Sequence, residues 1–107
     1  MKLAGGVTEA NIAAWKEQYK NVFEIKVPTD DTGKNHAIGY FKKPDLDIIA
    51  ASAKFAETDP IKSGIVVFDN CWLGGDETMK NDDECKISAI SALNDLFKIR
   101  LAEVKNL

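Results

Sequence analysis

The sequence predicts a mainly helical α+β fold of one domain, with one β-hairpin packed with about four helices. Three observations predict it. The hydrophobic period switches from helical steps before Lys20 to strict alternation at Val22–Val27. Asp59-Pro60 is a strong helix start in mid-chain. The last part of the chain carries apolar residues at helical spacing, and βαβ alternation is absent, which excludes parallel-sheet nucleotide folds. With 107 residues, 45% of them apolar, the chain suffices for one core and is too short for two domains.

The elements follow in order. Residues 1–7 (Met-Lys-Leu-Ala-Gly-Gly-Val) read as a flexible tail, and residues 8–107 as the domain. The tail lacks the apolar stretch of a secretory signal, so the protein is expected in the cytoplasm. Thr8 is the N-cap of a helix over about residues 9–20, with Ile12, Trp15 and Tyr19 on one face. Phe23, Ile25 and Val27 then share one side of a strand, with Glu24 and Lys26 on the other. Pro28 closes that strand, and Thr29–Asn35 carries turn chemistry. His36–Phe41 completes the hairpin.

Pro44 and Asp45 start a second helix, which bears Leu46, Ile49, Ala50, Ala53 and Phe55 and ends near Glu57. Asp59 caps a third, with Pro60 at its first position and Ile61, Ile65, Phe68 and Trp72 on one face. Gly64 sits inside it and suits close approach of a neighbouring helix. Gly74-Gly75 ends the element as a left-handed cap. Asn81 or Asp82 caps the last helix, which runs to about Lys105. That helix has one apolar face of Ile87, Ile90, Leu93, Phe97, Leu101 and Val104, and a second of Ala89, Ala92, Leu96 and Ile99. Its polar strip is narrow, so it reads as covered on two sides.

Charge and motif chemistry exclude more than they assign. The net charge is −3, and Asp69–Glu84 holds six acids against Lys80. This acidic segment would repel phosphates, and the nearest thing to a basic patch is Lys42-Lys43 with Lys54 and Lys62. Cys71 and Cys85 read as reduced, partly buried thiols, and one His with no Cys-x-x-Cys pair argues against zinc. Gly33-Lys34 lacks the upstream glycine and the following Ser/Thr of a phosphate loop. The acids at 76, 77 and 82–84 do not match a calcium loop, and a solvated loop with helix capping is the plainer reading. Gly74-Gly75-Asp76-Glu77 copies four letters of a cyclic-dinucleotide synthase signature, but Thr78 and the preceding helix do not fit it. His36 has no nucleophile or carboxylate nominated beside it. Trp15 and Trp72 read as core. The expectation is no catalytic residue, no metal, no cofactor and no membrane span.

Two clusters carry a resemblance. One is Tyr40-Phe41-Lys42-Lys43-Pro44, and the other is Asp69-Asn70-Cys71-Trp72-Leu73-Gly74-Gly75-Asp76-Glu77. With the Trp15/Tyr19 opening and the strand after it, the chain resembles small tail-assembly-chaperone-type proteins of phages and prophages over about residues 15–101. The hairpin departs from the mainly helical members of that group. The resemblance implies a non-enzymatic role: binding the tape-measure protein, holding tail-tube subunits during tail assembly, and often forming oligomers. Pro44, Gly74 and Gly75 would be structural, as would Pro60 on the capping argument. Lys42 and Lys43 would meet an acidic partner, and Leu96 and Ile99 would face a partner helix or a second subunit. A small nucleic-acid-associated regulator using the Lys42/Lys43 patch is the alternative.

Overall fold

The chain folds as a small α+β domain whose three-stranded antiparallel sheet carries helices on both faces. In the computed structural model, residues 4–19, 21–96 and 102–107 are described. Ala4–Gly6 makes a turn of 3-10 helix. The elements after it are α1 (Glu9–Tyr19), β1 (Val22–Pro28), β2 (His36–Lys42), α2 (Leu46–Ala53), α3 (Pro60–Cys71), β3 (Trp72–Gly75), α4 (Glu77–Asn81) and α5 (Asp83–Leu96). Five α-helices and three strands therefore stand among the described residues, where one hairpin and about four helices were expected.

Helix starts follow the sequence closely. Thr8 Oγ1 accepts the Asn11 amide at 3.2 Å, while Asn11 Oδ1 accepts the Thr8 amide at 3.0 Å, a reciprocal cap. Asp45 Oδ1 accepts from Ile48 N at 2.9 Å, and Asp59 Oδ1 accepts from Lys62 N at 3.1 Å with Pro60 behind it. Asp82 Oδ2 takes the Cys85 amide at 3.0 Å, which selects Asp82 over Asn81 as the cap of α5.

The hairpin pairs Ile25 with Gly39 and Lys26 with Ile38. Ile25 and Val27 enter the core, Phe23 is half-buried, and Glu24 and Lys26 are exposed. The strand alternation thus reads correctly. Its core face packs on α5, and α1 lies against the opposite face, where the Trp15 and Tyr40 rings sit 6.1 Å apart.

Three expectations are corrected. Gly74-Gly75 does not end a helix. α3 stops at Cys71, Trp72 turns extended, and Trp72–Gly75 adds to β2 as a third strand. Gly75 has φ +141°, and a Cβ there would collide with the Ile38 carbonyl, so close strand approach is why glycine stands here. The strand is pinned by Asp76, whose amide donates to Ile38 O at 2.8 Å and whose carboxylate accepts from Ile38 N at 2.9 Å. Second, the acidic stretch is not a loop, because Glu77–Asn81 is helical and Met79 is fully buried. Third, the tail is partly seated: Val7 is buried, and the turn before it packs on β2 and β3.

The last helix also differs from its expectation. Its buried stripe is Cys85 with Ala89, Ile90 and Leu93, the last three drawn from both expected faces, while Ile87 and Ala92 are exposed. Phe97, Ile99 and Leu101 lie outside the described residues. Residues 102–107 are not helical and leave Val104 exposed, consistent with a helix needing a surface to pack its apolar face on. The core centres on Phe41, Phe68 and Trp72, whose ring centroids lie 5.2–5.6 Å apart, with Met79, Cys71 and Leu93 around them.

Candidate functional site

α3 and α5 are held together by a close approach. A Cβ on Gly64 would collide with Ile90 Cγ2, so glycine sets their spacing, as its position in the sequence suggests. Ser52 and Ser63 exchange hydrogen bonds between α2 and α3, each hydroxyl reaching the other's backbone carbonyl at 2.9–3.1 Å. The result is a helical layer with an apolar outer surface. Ile61 on α3 and Ile87 on α5 are 64% and 56% exposed. With Ile65 and Ile90 they line a hollow of about 210 Å³ that has Asp83 and Lys86 at its rim. An adjoining hollow of about 220 Å³ adds Pro60, Ser91 and Asn94.

α2 offers a second exposed stripe. Leu46, Ile49, Ala50 and Ala53 recur at helical spacing and all face outward, with Leu46 78% exposed. Only Ile48 from this helix enters the core.

The rim of the α3/α5 groove carries charges of both signs. Lys86 is occupied by Asp69 at 3.3 Å and lies over the Phe68 ring, and Lys62 lies 4.6 Å from the Phe55 ring centroid. Asp83 has no ion pair among the described residues. The groove therefore presents apolar walls with charges of both signs at its edge.

Among the described residues, those singled out from the sequence lie on different elements. Leu96 is 45% exposed at the end of α5, and Ile99 lies outside the described residues. Lys42 is half-buried, with Nζ 5.0 Å from the Tyr19 ring centroid, while Lys43 is exposed. Pro44 is buried ahead of the Asp45 cap, and Pro60 opens α3 as expected. Ile61 and Ile87, each on an apolar face of its helix in the sequence, carry the exposed surface. The available signal was the surplus of apolar residues around the last helix.

Other candidates have little chemistry. A hollow of about 300 Å³ is lined by Val27, Thr29, Thr78, Asp82, Glu84, Cys85 and Ser88 among others. Burial pushes the Cys85 thiol pKa up, and a hydrogen bond with Asp82 adds to this, which disfavours the thiolate. Burial likewise pushes Cys71 up to about 11, against the opposing charge of Lys42. Among the described residues, no three His, Cys, Asp or Glu side chains converge as metal ligands. No described helix is long and apolar enough to cross a membrane.

Comparison with known proteins adds the fold. No protein-family model and no curated protein matches the sequence. The solved structure of an uncharacterised protein from Bacillus stearothermophilus is similar, with a TM-score of 0.60 over 89% of this chain and 99% of that one, at 16% identity. The likeness covers nearly the whole of both chains and speaks to architecture alone.

Proposed function

We propose that this protein is a non-enzymatic interaction protein of the tail-assembly-chaperone type, acting in the cytoplasm on tape-measure and tail-tube polypeptides. One observation carries the reading: Ile61 and Ile87 stand exposed side by side over a groove that has Ile65 and Ile90 in its walls. Fully burying an isoleucine side chain contributes about 1.5–3 kcal/mol, so leaving two adjacent ones in water favours a surface meant to be covered. The occupant is an apolar helical segment, whose side chains would fill the hollow between Ile61, Ile65, Ile87 and Ile90. The resemblance in the Tyr40–Pro44 and Asp69–Glu77 clusters supplies the class of partner. The nucleic-acid alternative has less support, since the net charge is −3 and Lys42 is half-buried.

The test is co-expression with phage tape-measure and tail-tube proteins. A soluble complex is expected, and Ile61→Asp with Ile87→Asp should abolish it while the free protein keeps its circular dichroism spectrum. If the wild-type chain binds neither protein at micromolar concentration, the reading is wrong.

A further inference from the structure

The two edges of the sheet differ. β3 lies at one edge, and the turn at Ala4–Gly6 packs against it. β1 is the other terminal strand, and no described strand lies beyond it. The ladder fixes which backbone groups that edge presents. Thr29 N donates to Asn35 O at 2.9 Å, so the hydrogen-bonded pairs of the hairpin fall on odd residues of β1. Ile38, the partner of Lys26, confirms the phase, because its amide and carbonyl both turn away to Asp76. The N–H and C=O groups of Val22, Glu24 and Lys26 therefore point outward. Pro28 shares that phase, so its missing N–H falls on the outer side, where a strand tolerates proline.

This edge is complementary to itself. We propose that two copies of the protein pair β1 with β1, antiparallel about a two-fold axis at Ile25, to make one continuous sheet. In that register Glu24 lies opposite Lys26 of the second copy, and Lys26 opposite its Glu24. Both side chains are exposed and on the same face, so the two ionic pairs are cross-strand neighbours. The outward amides and carbonyls of residues 24 and 26 bond each other across the axis, and the Val22 amide donates to the Pro28 carbonyl. Sliding the pairing by two residues sets Glu24 against Glu24 or Lys26 against Lys26. Sliding it by one meets the odd residues, whose backbone groups are already used by β2. Pro28 of the second copy falls opposite Val22, beside a shallow hollow of about 240 Å³ lined by Ile12, Lys16, Val22, Glu24 and Tyr40. The interface uses none of the groove residues on α3 and α5. An edge lysine and proline also serve to keep strands apart, and that rival makes the opposite forecast, a strict monomer.

The test is sedimentation of the full chain from low micromolar to near-millimolar concentration. The mass should rise from 11.8 kDa toward twice that value. Glu24→Lys or Lys26→Glu alone, each replacing two attractions by two repulsions, should weaken the dimer about 10- to 30-fold. The double exchange Glu24→Lys/Lys26→Glu should restore it. Amide exchange on the wild type gives an independent reading: the Glu24 and Lys26 amides should gain protection as concentration rises. A monomer throughout, a dimer indifferent to both single reversals, or a dimer without new protection at residues 24 and 26 overturns the proposal.

Discussion

Replacing Gly64 by alanine sets two effects of known sign against each other. In a helix interior, Gly→Ala is worth about 1 kcal/mol in favour of folding. Here the new methyl would overlap Ile90 Cγ2, and Ile90 is buried. That atom cannot swing aside, because a β-branched side chain in a helix is held to one main χ1 rotamer. The strain must move α3 away from α5, and overpacking of this kind costs about 1–3 kcal/mol. With the overlap this deep, the upper part of that range applies, and Gly64→Ala should destabilise by about 1–2 kcal/mol net. Chemical unfolding followed by tryptophan fluorescence and circular dichroism measures it, and the melting temperature should fall by roughly 5–10 °C. Ile90→Ala alone should cost about 2–4 kcal/mol. Placed together, the two changes relieve each other, and the double variant should be more stable than their sum by about 2 kcal/mol. A Gly64→Ala protein that gains the full helix-propensity benefit would refute the close approach of α3 and α5.

Three further outcomes follow from buried thiols and from caps. Cys71 and Cys85 are both buried and free, and burial raises both thiol pKa values. At pH 8 the native protein should react slowly with a thiol reagent and quickly once unfolded; rapid labelling of the folded chain would contradict the burial. Because the folded thiol of Cys71 holds its proton up to about 11 against 9.0 when free, its contribution to stability is complete below pH 9 and lost as pH rises toward 11. Unfolding midpoints across that window should fall with increasing pH, and Cys71→Ala should flatten the trend. Asp45→Ala and Asp59→Ala should each cost about 1 kcal/mol, since each carboxylate caps a helix. No loss in the urea midpoint of either variant would remove that cap from the account.

The hairpin and the helix starts are legible in the sequence because their causes are local. Alternation at Phe23–Val27 and the side chains of Thr8, Asp45, Asp59 and Asp82 act on backbone within a few residues. The third strand is not legible for the converse reason. Trp72–Gly75 has no alternation and two glycines, and it is a strand because Ile38, far away in sequence, accepts and donates to Asp76. α4 is hidden in the same way: its carboxylates look like a solvated loop, and only the burial of Met79 under the sheet gives the segment a reason to coil. Surplus apolar helix face was legible in kind, but the pattern did not single out Ile61 and Ile87 as its exposed members; Leu96 is also exposed, and Ile99 lies outside the described residues.

Which apolar stripe is left outward has a physical source. Periodicity reports that a helix is two-sided; it does not report which side meets the core. In α2 the stripe Leu46, Ile49, Ala50 and Ala53 has the stronger pattern, yet the helix is anchored by Ile48, by the Ser52–Ser63 hydrogen bonds and by the Asp45 cap. Those polar ties orient α2 with its greasier stripe in water. A sheet of three short strands has too little area to cover every such stripe, and α5 spends its contact on β1 and α3 through Cys85, Ala89, Ile90 and Leu93. Ile87 is left outward as a consequence. The exposed isoleucines are thus where packing geometry leaves no partner among the described residues, and it is there that the proposed second polypeptide would complete the layer.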